Sequence, residues 1–271
     1  MVERIRRTVR VWAALARAGL RTELQYRANF AFGILGGLAL QGAGLAVIGT
    51  ILARFQQIGG WSLPELMLLY GMRLTSHGLW TLPCSNLMVI DTAVREAEFD
   101  RYLTRPVAPF VQLVTRRLPV TTISDLLGGL AILGVALATT HLHWTLPRVL
   151  LLGLALVGGA LVELSGQTAI AGLAFRMLST GSLKFTLDDV FNTFGNYPTK
   201  IFGPAARWAL TVVLPLAFAS YVPATVLLGR TGELWIPVWL AWAAPAVGVA
   251  LFVAAYRFWR SQLNRYASSG H

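Results

Sequence analysis

Three ionisable residues stand inside otherwise apolar stretches of this chain: Arg73, Asp125 and Glu163. An unpaired charge at the centre of a bilayer costs at least about 2.5–3.5 kcal/mol, so such side chains face protein or water. Glu163 and Gln167 lie one helical turn apart and share a face, which makes them, with Arg73, candidates for lining a substrate path. The plainer alternative is structural: Arg73 pairs with Glu163 or Asp125 inside a bundle, or Asp125 lies near enough to an interface to be hydrated.

A second stretch has the chemistry of a docking element: DTAVREAEFDRYLTRP, Asp91 to Pro106. Asp91 can cap a helix that Pro106 must end. Asp91 with Arg95 and Glu98 with Arg101 have the spacing of favourable helical charge pairs. Phe99, Tyr102 and Leu103 fall at i, i+3, i+4 and make a compact apolar patch. A short charged helix with an exposed aromatic patch suits a groove on a partner protein. A solvated loop helix whose patch lies on the membrane would show the same pattern.

Other chemistry finds little support. A phosphate-binding loop needs Gly-Lys-Ser/Thr, and neither lysine, Lys184 or Lys200, sits in one, so this chain does not hydrolyse ATP. His141 and His143 form too small a set for a metal site and read as a solvated turn. Asp188 and Asp189 read as hydrated or helix-capping rather than as ligands of nucleotide-bound magnesium. The single cysteine, Cys84, excludes an internal disulfide and reads as a small buried hydrophobe. No catalytic constellation and no resident cofactor or metal is expected.

The elements that would position these residues are helices in a membrane. Charged residues make up 13% of the 271, about half of what soluble domains carry, and mean hydropathy is +0.60. Apolar runs predict six spans, at about residues 29–52, 64–90, 119–140, 146–177, 201–222 and 235–256, with the fifth broken by Pro215 and Pro223. Residues 1–28 read as an amphipathic helix lying in the headgroup plane: Ile5, Val9, Trp12, Ala16 and Leu20 share one face, and Arg6, Arg7, Arg10, Arg17 and Arg21 the opposite one. The six-span body would be residues 29–257 and the tail 258–271. The net charge of +11 collects at residues 1–28, 91–117, 178–200 and the tail, so the positive-inside rule places both termini in the cytoplasm. This clustering points to topology and lipid contact rather than to nucleic acid.

The segment Glu98-Phe99-Asp100-Arg101-Tyr102-Leu103-Thr104-Arg105-Pro106 resembles the "G-x-hydrophobic-D-x-Y-L-x-R-P" signature of ABC-2 type permeases, with Glu98 at a position where glycine is common. Tyr197-Pro198-x-x-Ile201-Phe202, Pro215-Leu216-Ala217 and Tyr221-Val222-Pro223-Ala224 resemble later parts of the same pattern. The resemblance implies an all-α membrane fold with six transmembrane helices, an N-terminal amphipathic connecting helix and a cytoplasmic coupling helix between spans 2 and 3. It implies the transmembrane subunit of an ABC exporter in the cell membrane of a prokaryote. ATP and magnesium would bind a separate ATPase subunit, present in two copies, and a second permease half would be this chain or a paralogue. The ATPase-coupling role falls on Arg95, Glu98, Phe99, Asp100, Arg101, Tyr102, Leu103 and Arg105. Two rivals need no ATPase: a secondary transporter or channel using intramembrane carboxylates, and a lipid-active membrane enzyme, which should show clustered acids or histidines at one membrane face.

Overall fold

The computed structural model describes residues 27–55, 57–115, 121–177 and 179–266, together with Arg17 and Gln25. The expected interfacial helix over residues 1–28 lies outside the described residues, apart from its last positions. Twelve α-helices are described: α1 (Arg27–Phe55), α2 (Leu63–Cys84), α3 (Ile90–Arg95), α4 (Asp100–Thr104), α5 (Pro109–Val114), α6 (Thr121–Thr139), α7 (Leu146–Leu173), α8 (Gly181–Phe194), α9 (Pro204–Trp208), α10 (Tyr221–Leu227), α11 (Val238–Trp242) and α12 (Ala244–Leu263). The fold is all-α.

The expectation of six membrane-crossing helices is corrected. Among the described residues three helices are long and apolar enough to cross a bilayer, over Arg27–Ile51, Thr122–Thr139 and Leu146–Leu173. A fourth crossing exists only if Pro204–Val213 and Leu216–Leu227, bent by 72°, count as one broken span. The physical reasons are local. α2 carries Glu65, Arg73 and His77 and is buried along most of its length, so it is a polar-bearing core helix rather than an apolar rod. The fifth expected span breaks where a five-residue π-turn, closed by Leu214 N–H donating to Ala209 C=O, runs into Pro215. The sixth divides into α11 and α12, and α12 runs on through Arg257 and Arg260. The single coupling helix is corrected too: α3 and α4 are separate short helices with a reversal between them.

α2 is the hub. It packs along α6 on one side and against α7 on the other; α7 packs on α12, and α1 leans on α6. Glycines allow the α2–α6 approach. A Cβ on Gly71 would stand 2.7 Å from the Leu133 amide nitrogen, and one on Gly129 would stand 2.5 Å from that of Thr75. Side chains are thus excluded from the seam on both helices, and backbone meets backbone as in small-residue contacts between membrane helices. Of the three long apolar helices α1 is the least buried, and it shows Phe32, Leu35 and Leu40 outward.

At one end of the bundle, the N-terminus of α2 is held by charge. Glu65 accepts from the Ser62 backbone N–H at 2.8 Å and from two Arg230 nitrogens at 2.8 and 3.0 Å. Glu233 takes Arg230, Lys200 and the Trp61 indole N–H. Gly129→Leu must push α6 off α2, and should cost about 1–3 kcal/mol, the usual range for overpacking. A fall in the thermal midpoint of the purified protein checks this; Gly134→Leu, at a glycine with open space around it, should leave the midpoint near its reference value.

Candidate functional site

Arg73 and His77 lie one turn apart on α2 and meet Glu163 of α7 in the interior. Arg73 Nε stands 3.5 Å from Glu163 Oε1 with both side chains almost fully buried. His77 Nδ1 lies 2.8 Å from Glu163 Oε2, and the Trp80 indole N–H donates to the same oxygen at 2.7 Å. α8 closes the cluster. Its Asn192 accepts from Arg73 Nη1 at 2.6 Å and donates to Asp188 at 3.1 Å, while Asp188 Oδ1 stands 3.8 Å from His77 Nδ1. Arg73 Nε and Nη2 and Glu163 Oε1 have no hydrogen-bond partner.

Three elements therefore converge on one charged cluster, and the residue pattern shows why. Arg73, His77 and Trp80 follow helical spacing on the buried face of α2. Glu163 is flanked on α7 by Gly158, Gly159 and Ala160, which bring neighbouring backbone close. On α8, Lys184, Leu187, Asp188 and Phe191 repeat at i, i+3, i+4, i+7 and turn inward. His77, Glu163 and Asp188 offer ligand atoms all within 4.8 Å of one another, close enough to share an ion. Arg73 already supplies a positive charge to Glu163, and His77 and Trp80 occupy its other oxygen, so the donors are committed within the protein.

Of the residues expected from the sequence, Arg73 and Glu163 come together as a pair. Gln167 turns to α8 instead, donating to the Lys184 backbone C=O at 3.2 Å. Asp125 is met by a neutral side chain: Gln41 of α1 donates to it at 2.8 Å, and Tyr70 of α2 donates to Gln41. Asp188, read as hydrated or capping, faces the cluster.

A second buried charge pair lies beyond the end of α2. Asp91 of α3 accepts from the Thr180 backbone N–H at 2.7 Å, the Thr180 hydroxyl at 2.5 Å and Lys184 Nζ at 3.0 Å. Lys184 also donates to the Leu87 C=O at 3.2 Å. Lys184 is fully buried, so it is not the surface topology charge its loop position suggested. Burial pushes the Asp91 carboxyl up, but the Thr180 hydrogen bonds and Lys184 outweigh it and hold the group below the ordinary carboxylate range.

The 91–106 segment is seated on this base. Ala97 adopts a left-handed φ of 54°, which ends α3 and turns the chain so that Phe99 points inward. Phe99 packs on Tyr102, Phe175 and Tyr266 at ring separations of 5.4, 5.0 and 5.8 Å. Phe99 and Tyr102 are buried, so the expected exposed aromatic patch is reversed: the rings anchor the segment, and Arg95, Arg101, Leu103 and Arg105 face outward. Glu98 and Asp100 are half-buried, and Asp100 accepts from the Tyr266 hydroxyl at 3.0 Å. Burial and the Asp100 charge raise the Tyr266 phenol to about 12, so it remains a donor.

Two measurements follow from this geometry. Glu163→Gln leaves the Arg73 guanidinium buried without its counter-charge and should cost about 3–5 kcal/mol; Arg73→Met with Glu163→Gln should recover most of that loss, read as thermal midpoints. For Asp91 the depressed folded pKa means its stabilisation is complete above the unfolded value of ~3.9 and is lost as pH falls through the folded one. The reference protein should therefore lose more stability below about pH 4 than Asp91→Asn with Lys184→Met, which has no charge there to titrate.

The model of the "ABC-2 family transporter protein" family matches residues 38–270. No curated protein matches the chain, and no solved structure does. Members of that family are transmembrane subunits without a catalytic site of their own. The matched region takes in the buried Arg73–Glu163 cluster, the anchored 91–106 segment and the apolar helices around them, so the chain is a multi-pass membrane component of an ABC-2-type transporter and belongs to the ABC-2 transporter family.

Proposed function

We propose that this chain is the permease subunit of an exporter driven by ATP that a separate ABC ATPase subunit hydrolyses with magnesium. The observation that carries the reading, beyond family membership, is the outward arginine face of the 95–105 segment on an aromatic base. Arg95, Arg101 and Arg105 offer charge and bidentate hydrogen bonding to a partner's carboxylates, and Leu103 offers an apolar contact between them. Buried Phe99 and Tyr102 keep that face rigid, which lowers the ordering cost of binding.

In the assembled transporter two ATPase copies and a second permease half, this chain or a relative, complete the machine. The arginine-rich 95–105 segment faces the cytoplasm of a prokaryotic cell, as the positive-inside rule favours. Glu163 and Arg73 stand beside the substrate path and fix its wall. ATPase-independent transport through the Glu163–His77–Asp188 cluster is the second reading; the proximity of three titratable groups favours it.

Phe99→Asp would break the aromatic base and so cannot test docking alone. Arg101→Glu with Arg105→Glu changes only outward side chains. It should leave membrane insertion and the thermal midpoint unchanged and reduce co-purification of the co-expressed ATPase subunit about tenfold or more, since each lost charged contact at an interface costs on the order of 1 kcal/mol or more. Full co-purification with undiminished ATP-dependent transport would sink the proposal.

A further inference from the structure

The two buried charge clusters are joined by one helix. Lys184 and Thr180, at the start of α8, are bound to Asp91 of α3. Asp188 and Asn192, toward its other end, meet His77 and Arg73. Twelve residues separate Thr180 from Asn192, about 18 Å of helix. Between these ends α8 shows Ser182, Phe185, Thr186 and Asp189 outward, so its inward face is the one that ties it to the bundle.

The two attachments differ in kind. At the Asp91 end the bonds to the carboxylate are charge-assisted and run from 2.5 to 3.0 Å, two from Thr180 and one from Lys184. At the other end the contacts are longer: Arg73 Nε stands 3.5 Å from Glu163 Oε1 and His77 3.8 Å from Asp188, and among the described residues Arg73 Nε and Nη2 and Glu163 Oε1 have no hydrogen-bond partner. Buried polar atoms without partners are rare in a settled arrangement. A cavity of about 360 Å³ lies beside α8, lined by Leu187 and Phe191 of α8, Gly166 of α7 and Leu251 and Phe258 of α12. The helix thus has a fixed foot, a head with bonding to spare and space alongside it.

We propose that α8 is the strut that carries motion from the docking segment to the Arg73–Glu163 cluster, with Asp91, Thr180 and Lys184 as its fixed attachment and Asp188 and Asn192 as its moving contact. This rests on the reading that residues 95–105 dock an ATPase. When that subunit displaces the segment, α3 moves, and the buried Lys184–Asp91 pair compels α8 to follow. Asp188 and Asn192 then exchange partners among Arg73, His77 and Glu163. Two discrete arrangements of one rigid element are what coupling between distant sites requires.

The test uses the complete complex with its ATPase subunit. In a Cys84→Ala background, Thr193→Cys places a thiol on the outward face of the moving end. Its alkylation rate with N-ethylmaleimide is compared between nucleotide-free complex and complex trapped with Mg-ATP and vanadate. The reference complex should show an ATP-dependent change in rate. Asp91→Ala with Lys184→Met removes the attachment without leaving a buried charge, and should reduce that change fivefold or more, the lower end of typical coupling between sites. Asp91→Asn with Lys184→Met keeps acceptors for Thr180 and should lose less. Both variants should co-purify with the ATPase in reference amounts. A full-sized change in the Asp91→Ala variant, no change in the reference complex, or loss of the ATPase from either variant would each overturn the strut. Failure of the docking reading is a separate result, seen when Arg101→Glu with Arg105→Glu still binds the ATPase.

Discussion

Arg73 and Glu163 carry opposite charges into a largely apolar interior, and neither can be there alone. Removing an ion from water costs several kcal/mol even after the surroundings relax, and one counter-charge at 3.5 Å repays it only with further hydrogen bonds. That requirement recruits His77 and Trp80 from α2 and Asn192 from α8. It fixes the rotation of α2 and α7 about their axes, because a turn of either helix would swing its charge away from its partners. The packing of α2 on α6 and of α7 on α12 is then the set of contacts compatible with that rotation.

The same logic governs the second pair in a different setting. Lys184 is a long flexible side chain that ordinarily keeps its ammonium in water. Here it is enclosed, and Asp91 and the Leu87 carbonyl replace its solvent. The segment that follows Asp91 gains a fixed origin, and Phe99 gives it a second one. The outward arginine face of residues 95–105 is thereby held from beneath, while the family match supplies the kind of transporter in which it sits.

Much of this was legible in the residues. The apolar runs and low charge fraction reveal a membrane protein, and the cost of a lone charge among apolar residues brings Arg73 forward with Glu163 or Asp125 as its partner. The 98–106 motif points to the family before any fold is known. What stayed hidden is orientation. The spacing of Phe99 and Tyr102 shows that they share a face, but spacing alone does not say whether that face looks outward or home. Ala97 carries no signal for the left-handed turn that decides the matter. Gln41, neutral and set in an apolar run, gives no hint that it serves Asp125. Lys184 reads as a loop charge because its partner lies 93 positions earlier. The six-span count failed for a related reason: length makes α2 look like a span, although Glu65, Arg73 and His77 leave it less apolar than a crossing helix and are matched by neighbours instead.

The glycine seam has a kinematic consequence. Where two backbones touch with no side chains between them, rolling one helix over the other would drive a carbonyl into an amide nitrogen within a fraction of a turn. α2 and α6 are therefore held against each other as one slab, and any rearrangement of the bundle has to leave that seam closed.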